Sequence, residues 1–483
     1  MAVLLAVLAV QAIFISQSLF QIRAEELAES VRDVFWLRHR LVYDGNSNVG
    51  WYAILLLVYE TVGFTLHTAK WVRLCLQALA LVCAWRVLRR FLSPLGAAVP
   101  LITFALSPTA LYFHTLQTPF GTDLSFFPIC AWLALCAHER RHLVLQASLW
   151  LVAMIACLSY PTFLFYLPAL VALQLWLERR ARQERPRRRW FGPVLSGVLA
   201  FATPLLVAIV MLRNRPQLIA DAHTGAGLFH GGGRLDADPR TLGLAVLFCL
   251  HDVLVKAQSF YYFELPQPDF TSLLGVTPFA LTVLASLLLV REQRSRGIVL
   301  IAWSLIGCHL LLANLSASYP GIRRCSGFLA GVYVLFTVLW HRAADSLSRR
   351  HPGAPLERSR TMLAAGALCL CLLLPLHHVL AVPANLAAMG KPSYYAESLW
   401  FGVRPSAEQS LAYWLERTRS TGLVSHDAQG RPVTGYYSLI FSAIAGYRLW
   451  NGLEQPAVLG YDAKTRQFLP LSVDLWQQGY FDL

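Results

Sequence analysis

The stretch from Thr68 to Phe91, TAKWVRLCLQALALVCAWRVLRRF, decides how the rest of the chain is read. An apolar run starting near Trp71 is closed by Arg86, Arg89 and Arg90. Roughly twenty apolar residues are what a helix needs to cross a hydrocarbon core, and arginines clustered at one end mark the cytoplasmic side. The same unit recurs along 483 residues, of which 56% are apolar and 14% charged, against about a quarter charged in soluble domains. The chain therefore reads as an all-α polytopic membrane protein. Its net charge of +14 does not point to nucleic acid, because the arginines sit in blocks such as Arg179 to Arg189 beside apolar runs. That is the positive-inside pattern.

Charge parity orders about eleven transmembrane helices. A helix from about Val3 to Phe20 lacks a basic start and a small-residue cleavage site, so it reads as a retained first span. With the amino end inside, this places a first loop, 21–70, outside. Trp51 to Leu66 cannot cross without breaking parity, and its aromatic residues and modest length assign it to the outer interface. Leu95 to Tyr112 goes out, the turn His114 to Asp123 lies outside, and Leu124 to Ala137 returns. Leu143 to Leu158 and Thr162 to Leu177 form another out-and-back pair. Phe191 to Leu212 then emerges into an outer loop, 213–270, that includes an interfacial or cavity-side helix, Leu242 to Phe263. Thr271 to Val290, Gly297 to Ala313, Cys325 to Leu339 and Met362 to Leu380 complete a membrane domain of residues 1–381. The glycine-rich HTGAGLFHGGG at 223–233 reads as a flexible loop, since neither a strand before it nor a helix after it supports a phosphate cradle.

From about Val382 the composition turns mixed polar and aromatic, which predicts a small extracytoplasmic α/β domain over 382–483. The expected arrangement is a multi-pass protein with its amino end cytoplasmic and its carboxyl end extracytoplasmic. Arginine and alanine richness suits a bacterial inner membrane. The ten cysteines are mostly single within apolar runs and show neither metal nor disulfide spacing.

The acids gather in one place. The segment Gln21 to Gly50, QIRAEELAESVRDVFWLRHRLVYDGNSNVG, carries Glu25, Glu26, Glu29, Asp33 and Asp44. Carboxylates in a water-exposed loop beside a membrane cavity can take a proton from a hydroxyl; a solvated acidic face would carry the same residues. Two adjacent cations, Arg323 and Arg324, stand on the outer side against the positive-inside bias, which marks them as a site for negative charge as much as an interfacial anchor. Lys70 and Arg73 are outer-side cations that would meet a phosphate or lipid headgroups. His39, His114, His230 and His251 also fall outside, but without paired ligand spacing no metal ligand is assigned. A divalent metal held by glutamate and histidine is left open. Asp123 and Asp252 stand near helix ends and read as caps or local ion pairs.

The order of these features resembles the polytopic GT-C glycosyltransferases, and is most similar to the protein mannosyltransferase and aminoarabinose transferase group. In that group an Asp-Glu pair lies early in the first outer loop, followed by an aromatic segment and an Arg-Leu pair opening the next helix. Here Glu25-Glu26, Trp51-Tyr52 and Arg73-Leu74 stand at those places. SPTALYFHTLQTPFGTDLSFFP resembles a further stretch of the family, with Thr118-Pro119 where Arg-Pro would be. SYPGIRRCSGFLAGVYVLF resembles the late loop whose arginine meets a lipid-linked phosphate, at Arg323 and Arg324.

The resemblance implies a GT-C-like membrane fold and transfer of a sugar from a polyprenyl-phosphate-linked donor to a hydroxyl on a lipid, glycan or protein acceptor, with inversion. Glu25, with Glu26 beside it, or Asp44 would be the base. Arg323, Arg324, Arg73, Lys70, His114 and Tyr52 would bind substrate. Membrane lipids and no nucleic acid are the other expected partners. The rival readings are a transporter or flippase for lipid-linked sugars and a non-catalytic assembly subunit with the same fold.

Overall fold

The computed structural model describes residues 2–18, 30, 33–38, 48–65, 67–140, 142–184, 191–214, 259–260, 263–264, 285–286, 289, 296–315, 326–348, 355–389, 425–426, 432–433, 459–462 and 467–470. The described residues are dominated by helices: α1 (Ala2–Ser18), α2 (Asp33–Arg38), α3 (Val49–Val62), α4 (Thr68–Leu88), α5 (Pro94–Ala105), α6 (Pro108–Thr115), α7 (Thr122–Arg140) and α8 (Leu143–Ser159). A short 3-10 helix, Pro161–Tyr166, leads into α9 (Leu167–Glu184), followed by α10 (Phe191–Asn214), α11 (Arg296–Leu315), α12 (Ser326–Ser348) and α13 (Pro355–Met389). Among the described residues four helices are long and apolar enough to cross a membrane, Thr68–Leu88, Pro161–Arg180, Ser326–Leu347 and Ala364–Ala384, with shorter apolar helices before and between them. Helix α3, at 14 residues, reaches about 21 Å, short of the roughly 30 Å hydrocarbon core, in keeping with an interfacial segment.

Two expectations change. The span expected over Leu95 to Tyr112 is two helices, α5 and α6, broken at Leu106–Ser107. The reason is local. Ser93 and Ser107 each precede a proline at the first helical turn, and their side chains accept from the backbone N–H of Gly96 at 3.1 Å and Ala110 at 3.2 Å. Such Ser-Pro pairs start helices. The break leaves carbonyls that lipid could not satisfy, and neighbouring helices fill them. Pro100 has no N–H for the Gly96 carbonyl, which accepts from Trp340 Nε1 of α12 at 3.0 Å. The Thr103 carbonyl accepts from His378 Nδ1 of α13 at 2.8 Å, and the Ala105 carbonyl from Gln11 Nε2 of α1 at 2.5 Å. The second change lies at the end of the expected helix Leu242 to Phe263, where β1 (Ser259–Phe260) pairs antiparallel with β2 (Phe263–Glu264). The aromatic run there suits extended backbone.

In the carboxyl-terminal region β3 (Ser425–His426) pairs with β4 (Pro432–Val433), and β5 (Leu459–Asp462) with β6 (Gln467–Pro470), both antiparallel. The glycine-rich 223–233 lies outside the described residues.

The helices present two distinct ends. At one, Arg90 Nη2 meets Glu139 Oε2 at 2.7 Å with both side chains more than a third exposed, and His138 lies 3.9 Å from Glu178. At the other, called the rim below, stand the first turns of α4, α7 and α12 and the last turns of α6 and α8.

Candidate functional site

The site is built around residues 113–123. When α6 ends, its last carbonyls have no helical partner, and Arg73 from the first turns of α4 supplies one. Its Nη2 donates to the Phe113 carbonyl at 3.2 Å and the Phe120 carbonyl at 2.6 Å, fastening both ends of the turn between α6 and α7. The guanidinium also lies 5.7 Å from the centre of the Trp51 ring. Gly121 closes the turn with φ of 72°, and a Cβ there would stand 2.6 Å from Phe113 Cβ. Only glycine meets both conditions without strain. Thr122 locks the turn from the other side, its Oγ1 donating to the Pro119 carbonyl at 2.7 Å.

At the tip of the turn, Gln117 accepts twice. Its main-chain carbonyl takes the Trp51 Nε1 proton at 3.0 Å, and its Oε1 takes the Ser30 hydroxyl at 2.8 Å. The Ser30 carbonyl in turn accepts from Tyr59 Oη at 2.8 Å. Burial pushes the Tyr59 phenol up, partly offset by its hydrogen bond to Ser30, so it stays a donor. Ser30, which lies within the acidic stretch of the sequence, is thereby moored to residues 113–123 and to α3. Helix α3, which carries Trp51 and Tyr59, lies close on α8, because a Cβ at Gly50 would come within 2.7 Å of the Ser159 nitrogen and 2.8 Å of the Ile155 carbonyl.

Asp123 ends the segment and holds another part of the chain. Its Oδ2 accepts from Thr162 Oγ1 at 3.0 Å and from Ser326 Oγ, while Oδ1 accepts from the Leu124 N–H at 3.0 Å. Tyr166 Oη donates to Ser326 Oγ at 3.2 Å. The carboxylate lies in the field of Arg73. One helical turn along α4 from Arg73, Gln77 Oε1 accepts from Ser125 Oγ at 3.0 Å.

Of the residues expected to bind substrate, Tyr52 (2% exposed), Lys70 (1%), Arg73 (0%) and His114 (0%) are all buried at this rim. Neither ring nitrogen of His114 makes a hydrogen bond among the described residues, nor do Arg73 Nε and Nη1, Gln77 Nε2 and Thr118 Oγ1. Burial, reinforced by the nearby Arg73 charge, holds the His114 pKa well below its usual value, so the ring is neutral. The expected bases Glu25, Glu26 and Asp44, the expected phosphate cations Arg323 and Arg324, and the histidines His39, His230 and His251 lie outside the described residues. Among the described residues no three His, Cys, Asp or Glu side chains gather in a metal-holding group.

Sequence reasoning missed Ser30, Gln117, Thr162 and Ser326, and gave Asp123 too small a role. Asp123 does touch its own helix terminus at Leu124, but its second oxygen joins segments distant in sequence. One signal was available: Asp123 is the single acid between Glu60 and Glu139, and an isolated carboxylate at a membrane boundary needs dedicated partners.

Comparison with known proteins adds little to this geometry. No protein-family model matches the chain, and no curated protein matches it. Among solved structures it is similar to the archaeal oligosaccharyltransferase AglB from Archaeoglobus fulgidus, determined with an inhibitory peptide and a dolichol-phosphate, at 14% identity and a TM-score of 0.45. It is also similar to an Archaeoglobus fulgidus oligosaccharyltransferase tethered to an acceptor peptide, at 10% identity and a TM-score of 0.42. Each match covers 81% of this chain, which spans 56% of the neighbour's length.

Proposed function

We propose that this protein is a membrane glycosyltransferase that moves a sugar from a polyprenyl-phosphate donor to an acceptor hydroxyl at the rim, which is its extracytoplasmic face. The observation that carries this reading is that one turn, 113–123, holds both Ser30 of the acidic segment and Ser326, two residues after Arg324. A base and a phosphate-binding cation must approach the same anomeric carbon, and the attachment of Ser30 and Ser326 to one turn supports that arrangement.

In the proposed reaction Glu25, or Glu26 or Asp44, takes the acceptor proton as the acceptor oxygen bonds to the anomeric carbon. The bond from that carbon to the donor phosphate oxygen breaks, with inversion, and polyprenyl phosphate leaves as a dianion. Stabilising it needs positive charge more than an acid. Arg323 and Arg324 supply that charge and two planar sets of donors. Lys70 and Arg73, both buried at the rim, act on that phosphate through their charge rather than by contact. Tyr52 and His114 line the same rim.

The transporter reading keeps one specific observation in its favour, the break between α5 and α6, since interrupted helices line substrate sites in secondary transporters. The purified protein in lipid vesicles separates the readings. Supplied with polyprenyl-phosphate mannose or polyprenyl-phosphate aminoarabinose and acceptor peptides or lipids, the wild type should consume donor and form glycosylated acceptor. Glu25→Gln and Arg324→Ala should each lose activity by about a hundredfold or more. Unmodified donor crossing the bilayer would establish the transporter instead, and donor binding without turnover would establish the non-catalytic subunit.

A further inference from the structure

Four hydroxyl and carboxyl groups meet at the start of α12 and are sealed from solvent. Asp123 and Ser326 are 0% exposed, Thr162 is 1% and Tyr166 is 0%. They come from three elements, the first turn of α7, the 3-10 helix Pro161–Tyr166 and the first residue of α12. Asp123 Oδ2 accepts from both hydroxyls, and Ser326 accepts in turn from Tyr166. The cluster is closed over by packing. The Tyr166 ring stacks on Phe163 at 5.0 Å and meets the His309 ring of α11 edge-on at 4.7 Å. No substrate atom reaches a carboxylate so enclosed, so its role is not general base catalysis. A buried carboxylate demands all its partners, because losing one leaves a charge unsatisfied. That demand makes the register of α12 against α7 discrete rather than sliding.

We propose that Asp123 is a positioning residue for donor binding: through Ser326 and Thr162 it fixes the start of α12 on α7, and α12 begins two residues after Arg324 in the sequence. This rests on the transfer reaction proposed above and assigns the donor side of that reaction to the clamp. The acceptor side depends on the separate Gln117–Ser30 attachment. Weakening the clamp should therefore raise the KM for donor and leave the KM for acceptor unchanged.

The experiment uses the full chain in vesicles, comparing wild type with Ser326→Ala, Ser326→Thr and Asp123→Asn. Amide hydrogen exchange over the first turn of α12 is read beside steady-state kinetics with polyprenyl-phosphate mannose and polyprenyl-phosphate aminoarabinose. In Ser326→Ala the first-turn amides should exchange about tenfold faster and the donor KM should rise about tenfold, with the acceptor KM unchanged. Ser326→Thr, which keeps the hydroxyl, should return both toward wild type, and Asp123→Asn should lie between. Unchanged exchange in Ser326→Ala overturns the clamp. Faster exchange with an unchanged donor KM, or with both KM values raised alike, overturns the positioning role. A wild type that turns over neither donor, with exchange still accelerated in the variants, upholds the clamp and overturns the transfer reaction.

Discussion

The two ends of the helix assembly handle charge in opposite ways. At the end that carries Arg90 and Glu139, oppositely charged side chains meet at 2.7 Å in the open, with Arg90 46% and Glu139 39% exposed. At the rim, Lys70, Arg73 and Asp123 are all but absent from the surface. Exposed pairs contribute about 0–1 kcal/mol, because water and salt screen them and two long side chains lose freedom. Buried charges cost several kcal/mol to desolvate, and the chain tolerates them where hydrogen bonds restore what water supplied. The far end is thus held by apolar packing with charge as trim. At the rim, charge and hydrogen bonds determine which segments touch.

The contrast is open to direct attack by substitution. The largest effect should come from Asp123→Ala, which removes the acceptor of Thr162 and Ser326 and the countercharge near Arg73. A loss of about 3–5 kcal/mol is expected, seen as a large drop in Tm in detergent, and a drop no larger than that of a surface change would erase the distinction. Gly121→Ala follows, because it combines a positive φ with a Cβ 2.6 Å from Phe113. Strain and overpacking together should cost about 2–3 kcal/mol, again read from Tm.

His114 sharpens the comparison through pH. Its folded pKa is held well below the usual value, so on acidification the unfolded chain takes up the proton first. Stability from this group is complete above pH about 6.5 and falls as pH drops below it. His114→Gln, which has no ring to protonate, should flatten the acid-side fall in Tm. The smallest effect belongs to the far end, where Arg90→Ala should change stability by less than about 1 kcal/mol. A loss as large as that of Asp123→Ala would show that the two ends do not differ.

Local features were legible in the sequence. The apolar runs, the basic ends and the short aromatic segment that became α3 all follow from composition and length, which act over one helix at a time. Even the break between α5 and α6 was written twice, in Ser93-Pro94 and Ser107-Pro108, though hydropathy averaged across it gives one span. Arg73 reads as a free outer cation because sequence shows its charge but not the Phe113 and Phe120 carbonyls that hold it. Ser30 and Gln117, or Asp123 and Ser326, leave no trace at all, since each pair joins uncharged or singly charged residues far apart in the chain. Such partners are chosen by the folded geometry, and only Asp123, alone among acids for a long stretch, gave any warning.

The most direct trial is a distance between the acidic segment and the arginine pair. Spin labels are placed at Glu29→Cys and Arg323→Cys after Cys75 and Cys369, exposed among the described cysteines, and Cys249 and Cys325, which lie outside the described residues, have been replaced by serine, and pulsed electron paramagnetic resonance is recorded in vesicles. Attachment of both segments to residues 113–123 predicts a single narrow distribution well short of the roughly 30 Å hydrocarbon core. A distribution centred at or beyond that thickness would put the two segments on opposite faces and contradict a shared site.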